Sequence, residues 1–273
     1  MNKTFNRTGK NIYWDYGMDA ILPQSTFNEV SKFHQSCTMI KKDNFIPYYP
    51  YDVYGWLYKV ENTDIVPNYY SSEIDFSDEV KKRDFKGSTR ELNSSEEFTK
   101  ESLGYILYNA FGRGENTASK RYPSAGGLYS VIPLVCIFEK NVIKDQYIKP
   151  GCYLFDSTDI KLKCIKEWDE SELQHVKHLI NSYDSILYSN IAMAYAVDLK
   201  RSITKYRKRG YRHALIEIGL MSQSLRESLN EKEGYGDFCW SGFDDNALTY
   251  NLGLNVHLCP VSLVQWFGKV KVN

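Results

Sequence analysis

Leu103, Ile106, Leu107, Ala110 and Phe111 follow one another at the 3.6-residue period of a helix, with Ser94-Ser-Glu-Glu97 ahead of them at capping-box spacing. Gly112 or Gly114 is the expected stop. Leu134-Val-Cys-Ile-Phe138 and Ile191-Ala-Met-Ala-Tyr-Ala-Val197 are continuous apolar runs, the pattern of strands buried on both faces. Tyr153-Leu-Phe155 and Leu162-Lys-Cys-Ile165 flank the turn residues Asp156-Ser-Thr-Asp159 and predict a hairpin. A short helix is expected over 173–180. A long one over 213–229 carries Ala214, Ile218, Met221, Leu225 and Leu229 on one face, with further apolar residues between them. The alternation in Val261-Ser-Leu-Val-Gln-Trp-Phe267 predicts a closing strand. The sum is an α+β protein with a central, mostly antiparallel sheet flanked by helices.

The pattern is less regular before residue 80. Ile46-Pro-Tyr-Tyr-Pro-Tyr-Asp-Val-Tyr-Gly-Trp56 and Pro67-Asn-Tyr-Tyr70 mix prolines with clustered aromatics, which suggests an arm packed on another surface or a few short strands. The charged run Asp78-Glu-Val-Lys-Lys-Arg-Asp84 marks a border. The expected organisation is an aromatic-rich arm over 1–80 and a globular domain over 81–273.

Composition narrows the function classes. Lys plus Arg and Asp plus Glu each number 34, so no overall field gathers polyanions and nucleic-acid binding is disfavoured. The 22 tyrosines among 273 residues suit extensive interfaces. Six cysteines form no C-x-x-C pair, which points to reduced thiols rather than a disulfide framework or a zinc knuckle. No apolar run opens the chain and none reaches the ~18 residues of a membrane span. A cytoplasmic protein without membrane attachment is expected.

Four segments could carry chemistry, and each has a plainer reading. The paired glycines of Tyr122-Pro-Ser-Ala-Gly-Gly-Leu-Tyr129 let backbone approach a flat or anionic ligand, with Pro123 fixing the approach and Ser124 offering a hydroxyl; alone, the segment is also an ordinary turn. Lys86-Gly-Ser-Thr-Arg90 can surround a phosphate, or be a solvated loop. Lys205-Tyr-Arg-Lys-Arg-Gly-Tyr-Arg212 is a surface patch, a polyanion site or, since an ammonium near a phenol favours the phenolate, an acid/base site with Lys205 and Tyr206 as the candidates. Trp240-Ser-Gly-Phe-Asp-Asp-Asn-Ala-Leu248 either lines a flat cofactor or only caps the next helix through Asp244 or Asp245. His34, His175, His178, His213 and His257 are dispersed, so no metal site is expected, and the glycine patterns of nucleotide and serine-hydrolase sites are absent.

Taken in order, Ser88-Thr-Arg90, Pro123 to Tyr129, Lys205 to Arg212, Gly242-Phe-Asp-Asp245 and Leu252-Gly-Leu254 resemble the SagB/ThcOx-type dehydrogenases of the FMN-dependent nitroreductase superfamily, most of all the dehydrogenase subunits of microcin-type thiazole/oxazole peptide synthetases. The resemblance covers about residues 85–270. It implies a nitroreductase-like fold and a homodimer whose two chains build each FMN site. Ser88 and Arg90 fall on the family's flavin element, Pro123, Ser124 and Gly126 on the loop facing the ring, Gly242 on a second flavin-side loop, and Lys205 and Tyr206 on the catalytic pair. Lys86 stands where the family has its first phosphate-binding arginine, and Ser130 where it commonly has a proline.

The implied activity is oxidation of thiazoline or oxazoline rings to thiazole or oxazole in a ribosomally synthesised peptide. The implied partners are an ATP-dependent cyclodehydratase and a Cys/Ser/Thr-rich precursor peptide. The alternatives are a general NAD(P)H-dependent nitro- or quinone-reductase, and a flavin-free scaffold of a peptide-modifying complex.

Overall fold

Strand β4 (Ile191–Val197) sets the architecture in the computed structural model, which describes residues 18–41, 51–60, 63–66, 68–95, 97–182 and 186–271. Alternate side chains of a strand point to opposite faces. Ile191, Met193, Tyr195 and Val197 therefore join one core, with α4 (Lys100–Phe111) and α7 (Lys208–Asn230), while Ala192, Ala194 and Ala196 join the other, with α5 (Glu170–Ile180) and α8 (Asp245–Asn251). Both faces are dry, which is why the run reads as continuously apolar.

Around β4 lie β1 (Val131–Ile137), β2 (Gly151–Asp156) and β3 (Lys161–Glu167) on one side, and β6 (Val261–Lys269) and β5 (Tyr235–Trp240) on the other. The order is β3-β2-β1-β4-β6-β5 and every neighbouring pair is antiparallel. Helix α7 is pressed tightly on α4: the hydroxyls of Ser224 and Ser228 donate to the carbonyls of Ala110 and Ile106, both at 2.9 Å.

Some expectations are corrected. The cap of α4 is Thr99, whose hydroxyl accepts from the Ser102 amide at 3.0 Å, not Ser94. Leu92 bridges Val270, Phe98 bridges Ile143, and Ser94 and Ser95 lie in a turn in which Asn93 takes the Ser95 amide, so no helix starts at Ser94. Asp244 caps α8, accepting from the Ala247 amide at 2.8 Å.

The described residues fall into two compact units, Met1–Lys41 with Ser88–Asn273, and Lys42–Gly87. This differs from the expected division at residue 80. Helices α1 (Met18–Ile21) and α2 (Gln24–Ser36) belong to the larger unit, where α2 and the chain after it are fastened by His34 Nδ1 to Tyr211 Oη at 2.8 Å, Met39 N–H to Asp245 at 2.8 Å and Lys41 N–H to Asp244 at 2.7 Å. The smaller unit contains α3 (Tyr51–Val60). Residues 42–50, 61, 62 and 67 of the expected aromatic arm lie outside the described residues. No described helix is long and apolar enough to cross a membrane.

Candidate active site

The chain from Tyr122 to Tyr129 forms an irregular turn with left-handed backbone at Gly126 (φ 64°), Gly127 (φ 66°) and Tyr129 (φ 47°). Such angles are easy for glycine and costly for tyrosine. A Cβ built on Gly126 would lie 2.5 Å from Tyr206 Oη and 2.7 Å from Lys205 Nζ. The glycine loop and the Lys–Tyr pair, read separately in the sequence, therefore meet at one point. The other side of the loop is open, since nothing lies within 4 Å of a Cβ placed on Gly127.

The pair is presented by a break between two helices. α6 (Leu199–Tyr206) is capped by Asp198, which accepts from the Arg201 amide at 2.9 Å. It ends where Arg207 takes φ 53° and ψ −141°, and α7 starts at the next residue. Gly210 permits the sharp reversal, because a Cβ there would sit 2.0 Å from the Ser202 carbonyl oxygen. Lys205 Nζ lies over the Tyr206 ring, 5.1 Å from its centroid. His213 packs edge-on against the same ring, centroids 5.0 Å apart, and its Nδ1 is buried with no partner among the described residues. Sequence reasoning passed over His213 as one of five scattered histidines; its place one turn into the helix after Tyr206 was the available signal.

Ser124 turns inward. Its hydroxyl accepts from the Tyr129 amide at 2.8 Å and donates to Glu217 at 2.5 Å, and the other Glu217 oxygen accepts from the Val131 amide at 3.2 Å. Burial raises the pKa of this carboxyl, opposed by the bonds from Ser124 and Val131 and by the charges of Lys120 and Arg201. Lys120 is itself lowered to about 8, first by burial and then by the repulsion of Arg113. Its ammonium and the Arg113 guanidinium both lie over the Tyr129 ring, 5.5 and 4.7 Å from the centroid. Pro123 is exposed at the outer edge of the loop.

A second cluster stands near β5. Ser88 Oγ accepts from Arg226 Nη2 at 2.8 Å, and the Arg90 guanidinium lies over the rings of Phe238 and Trp240, 5.6 and 5.8 Å from their centroids. Arg226 forks onto the buried Asp237 with contacts of 2.9, 3.2 and 2.9 Å, and Gln265 Nε2 donates to the same carboxylate at 2.7 Å. Arg226 was missed in the sequence because it sits inside an amphipathic helix, where a lone arginine reads as surface. Gly242 is buried, accepts from the Ser182 amide at 2.9 Å, and lies two residues beyond Trp240, whose ring carries Arg90. Lys86 lies in the smaller unit, two residues before the larger one resumes at Ser88. Both clusters touch α7, at Glu217 and Arg226, nine residues or about 13 Å apart along the axis.

A separate cavity of about 630 Å³ opens between α4 and the β2–β3 hairpin, lined mainly by apolar residues such as Leu103, Leu107, Tyr153, Phe155 and Leu162. It contains none of the candidate site residues named from the sequence. Among the described residues no group of three His, Cys, Asp or Glu could hold a metal ion.

No family model matches the chain. Over 168 residues it is 26% identical to the microcin B17-processing protein McbC of Escherichia coli. The match spans 60% of this chain and 60% of the length of that relative. Among solved structures, a chain of the E. coli microcin synthetase McbBCD complex with truncated pro-MccB17 bound superposes with a TM-score of 0.82 at 20% identity, covering 97% of this chain and 100% of that one. A protein assigned to the nitroreductases from Ralstonia eutropha superposes at 0.54 with 17% identity, over 68% and 80% of the two chains. As the resemblance implied, the chain is similar to McbC and has the nitroreductase fold.

Proposed function

We propose that the protein is an FMN-dependent dehydrogenase that oxidises thiazoline and oxazoline rings of a ribosomally synthesised peptide to thiazole and oxazole within a multienzyme synthetase. The observation that carries this is the convergence of Lys205 and Tyr206 on the backbone of Gly126. A reductase that merely passes electrons from a nicotinamide to an acceptor has no need of such a pair, whereas ring oxidation must remove a proton as well as a hydride. The similarity to McbC supports the same reading.

The residues present fit an FMN. Ser88, Arg90 and Arg226 offer a hydroxyl and two guanidinium groups for its phosphate. The left-handed backbone of the loop, open at Gly127, accommodates a flat ring, and Pro123, Ser124 and Gly242 complete the loops that border it. When bound, the flavin supplies the hydride acceptor. The chain supplies the rest. Tyr206 Oη relays the proton from the ring carbon beside the carbonyl, passing its own hydroxyl proton on to solvent as it accepts the new one, and the Lys205 ammonium, close to that phenol, stabilises the negative charge that develops on the azoline. His213 holds the tyrosine ring from behind. The two hydrogens leave as one proton and one hydride, and an aromatic ring remains.

The protein acts as a homodimer. The exposed stripe of α7 formed by Leu215, Ile216, Gly219 and Leu220 is apolar and continuous, and the open space above Gly219 allows a second helix to approach closely. Its partners are an ATP-dependent cyclodehydratase, which makes the azolines, and the Cys/Ser/Thr-rich precursor peptide; the location is cytoplasmic. The test is to weigh an azoline-bearing peptide before and after exposure to the FMN-loaded protein. Loss of two hydrogens per ring supports the proposal. Turnover of a nitroaromatic with NADPH and none of the azoline would replace it with a general reductase, and a protein that binds no flavin would leave a scaffold.

A further inference from the structure

We propose that Glu217 is a positioning residue for this oxidation, holding the 123–129 loop in the one shape that sets Gly126 against Lys205 and Tyr206. The inference rests on the reading of that loop and pair as the reaction site. Glu217 is only 3% exposed, in the middle of α7. Burying a carboxylate is costly unless its oxygens are occupied. Here both are: Oε2 accepts from the Ser124 hydroxyl and Oε1 from the Val131 amide. Ser124 in turn takes the Tyr129 amide, so residues 124, 129 and 131 are gathered onto one side chain.

That gathering closes the loop over its strained section. Tyr129 stands at φ 47°, a conformation that its surroundings must enforce, and its amide is the one bonded to Ser124. Gly126 lies between the tied residues 124 and 129, and α7, which carries Glu217, starts two residues after Tyr206. The carboxylate thus joins the two halves of the site through a single helix. The other charged or titratable groups that act on it are Lys120, Tyr122 and Arg201, none of which replaces its two acceptor oxygens.

A carboxylate suits this arrangement better than an amide. Two donors converge on it, and an amide of the same shape offers one acceptor oxygen and one donor nitrogen. Turned one way, a glutamine sets its N–H against the Val131 amide; turned the other, it donates to the second lone pair of the Ser124 hydroxyl, whose own proton then loses its acceptor.

The test compares wild type, Glu217→Gln and Glu217→Asp, each loaded with FMN, on a synthetic thiazoline peptide, together with amide hydrogen exchange over residues 122–131. The glutamine variant should keep its flavin and its KM within about twofold, while kcat falls about 10- to 100-fold, the scale of a small misplacement of reacting groups. The Tyr129 and Val131 amides should exchange faster in it. The aspartate variant, with both acceptors but a shorter reach, should lie between the two. Wild-type kcat and wild-type exchange in Glu217→Gln overturn the proposal. If that variant does not fold, Glu217→Asp decides on the same two readings. Exchange is measured without peptide, so it tests the tether even if wild type oxidises no azoline, an outcome that sinks the functional reading instead.

Discussion

Gly126 and Tyr206 are eighty residues apart in sequence, yet one methyl group on the glycine would lie 2.5 Å from the tyrosine hydroxyl oxygen. Contact this close between a backbone and a phenol leaves room only for a residue without a side chain. It also ties the position of the Tyr206 hydroxyl to the shape of the loop.

Gly126→Ala should therefore fold but work poorly. The left-handed φ of 64° costs an alanine about 1–2 kcal/mol, and the Lys205 and Tyr206 tips can swing aside because they are flexible ends. Thermal unfolding should show a fall of a few degrees. Azoline turnover should fall at least about tenfold, because relief comes at the expense of the aligned pair.

Arg226 predicts a loss of a different kind. Its guanidinium is the cationic partner of the buried Asp237, whose side chain is 3% exposed. Arg226→Ala leaves that carboxylate uncompensated and should cost about 3 kcal/mol in urea denaturation. Ser88 loses its donor at the same time, so FMN retention should fall as well. Asp237→Asn combined with Arg226→Ala should recover part of the stability and none of the retention.

The two-copy arrangement is tested on α7. Ile216→Asp with Leu220→Asp places charge on the exposed apolar stripe, where neither side chain supports the core. Sedimentation should show a dimer for wild type and a monomer for the variant, with FMN content lost in parallel. A monomeric wild type that retains FMN would remove the dimer from the account.

The anchor of α2 should depend on pH. Burial, reinforced by the Asp244 charge, raises Asp245 to about 6, against the bond from the Met39 amide. A carboxyl whose folded pKa lies above its unfolded value binds more protons when folded, so stability rises as pH falls from about 7 toward 4. The Asp245→Asn variant keeps an acceptor for Met39 and loses this titration. Its melting temperature should exceed that of wild type at pH 7.5, and the gap should close by pH 4.5.

Much of the fold was legible because its elements bury apolar residues at regular spacing. The runs 134–138 and 191–197 are two-faced strands, the Asp156–Asp159 turn joins a real hairpin, and 213–229 lies inside α7. The N-terminal helices were not legible. α2 buries little beyond Val30 and His34, and it is fastened by polar contacts from His34, Met39 and Lys41 that leave no periodic trace. Ser94 misled because capping-box spacing says nothing of the bridge that keeps Leu92 in extended pairing with Val270. At the site, glycines and adjacent charges flagged the loop and the Lys–Tyr pair. Glu217 and Arg226 were hidden, since their importance comes from what the fold brings to them rather than from their neighbours in sequence.

The most direct test is the visible spectrum of the FMN-loaded protein mixed without oxygen with a synthetic thiazoline peptide, for wild type and for Tyr206→Phe. The wild-type flavin band should bleach as the peptide loses two hydrogens, and the variant should keep both its colour and its substrate. A wild-type protein that takes up no FMN, or whose colour is unchanged by the peptide, would contradict the account.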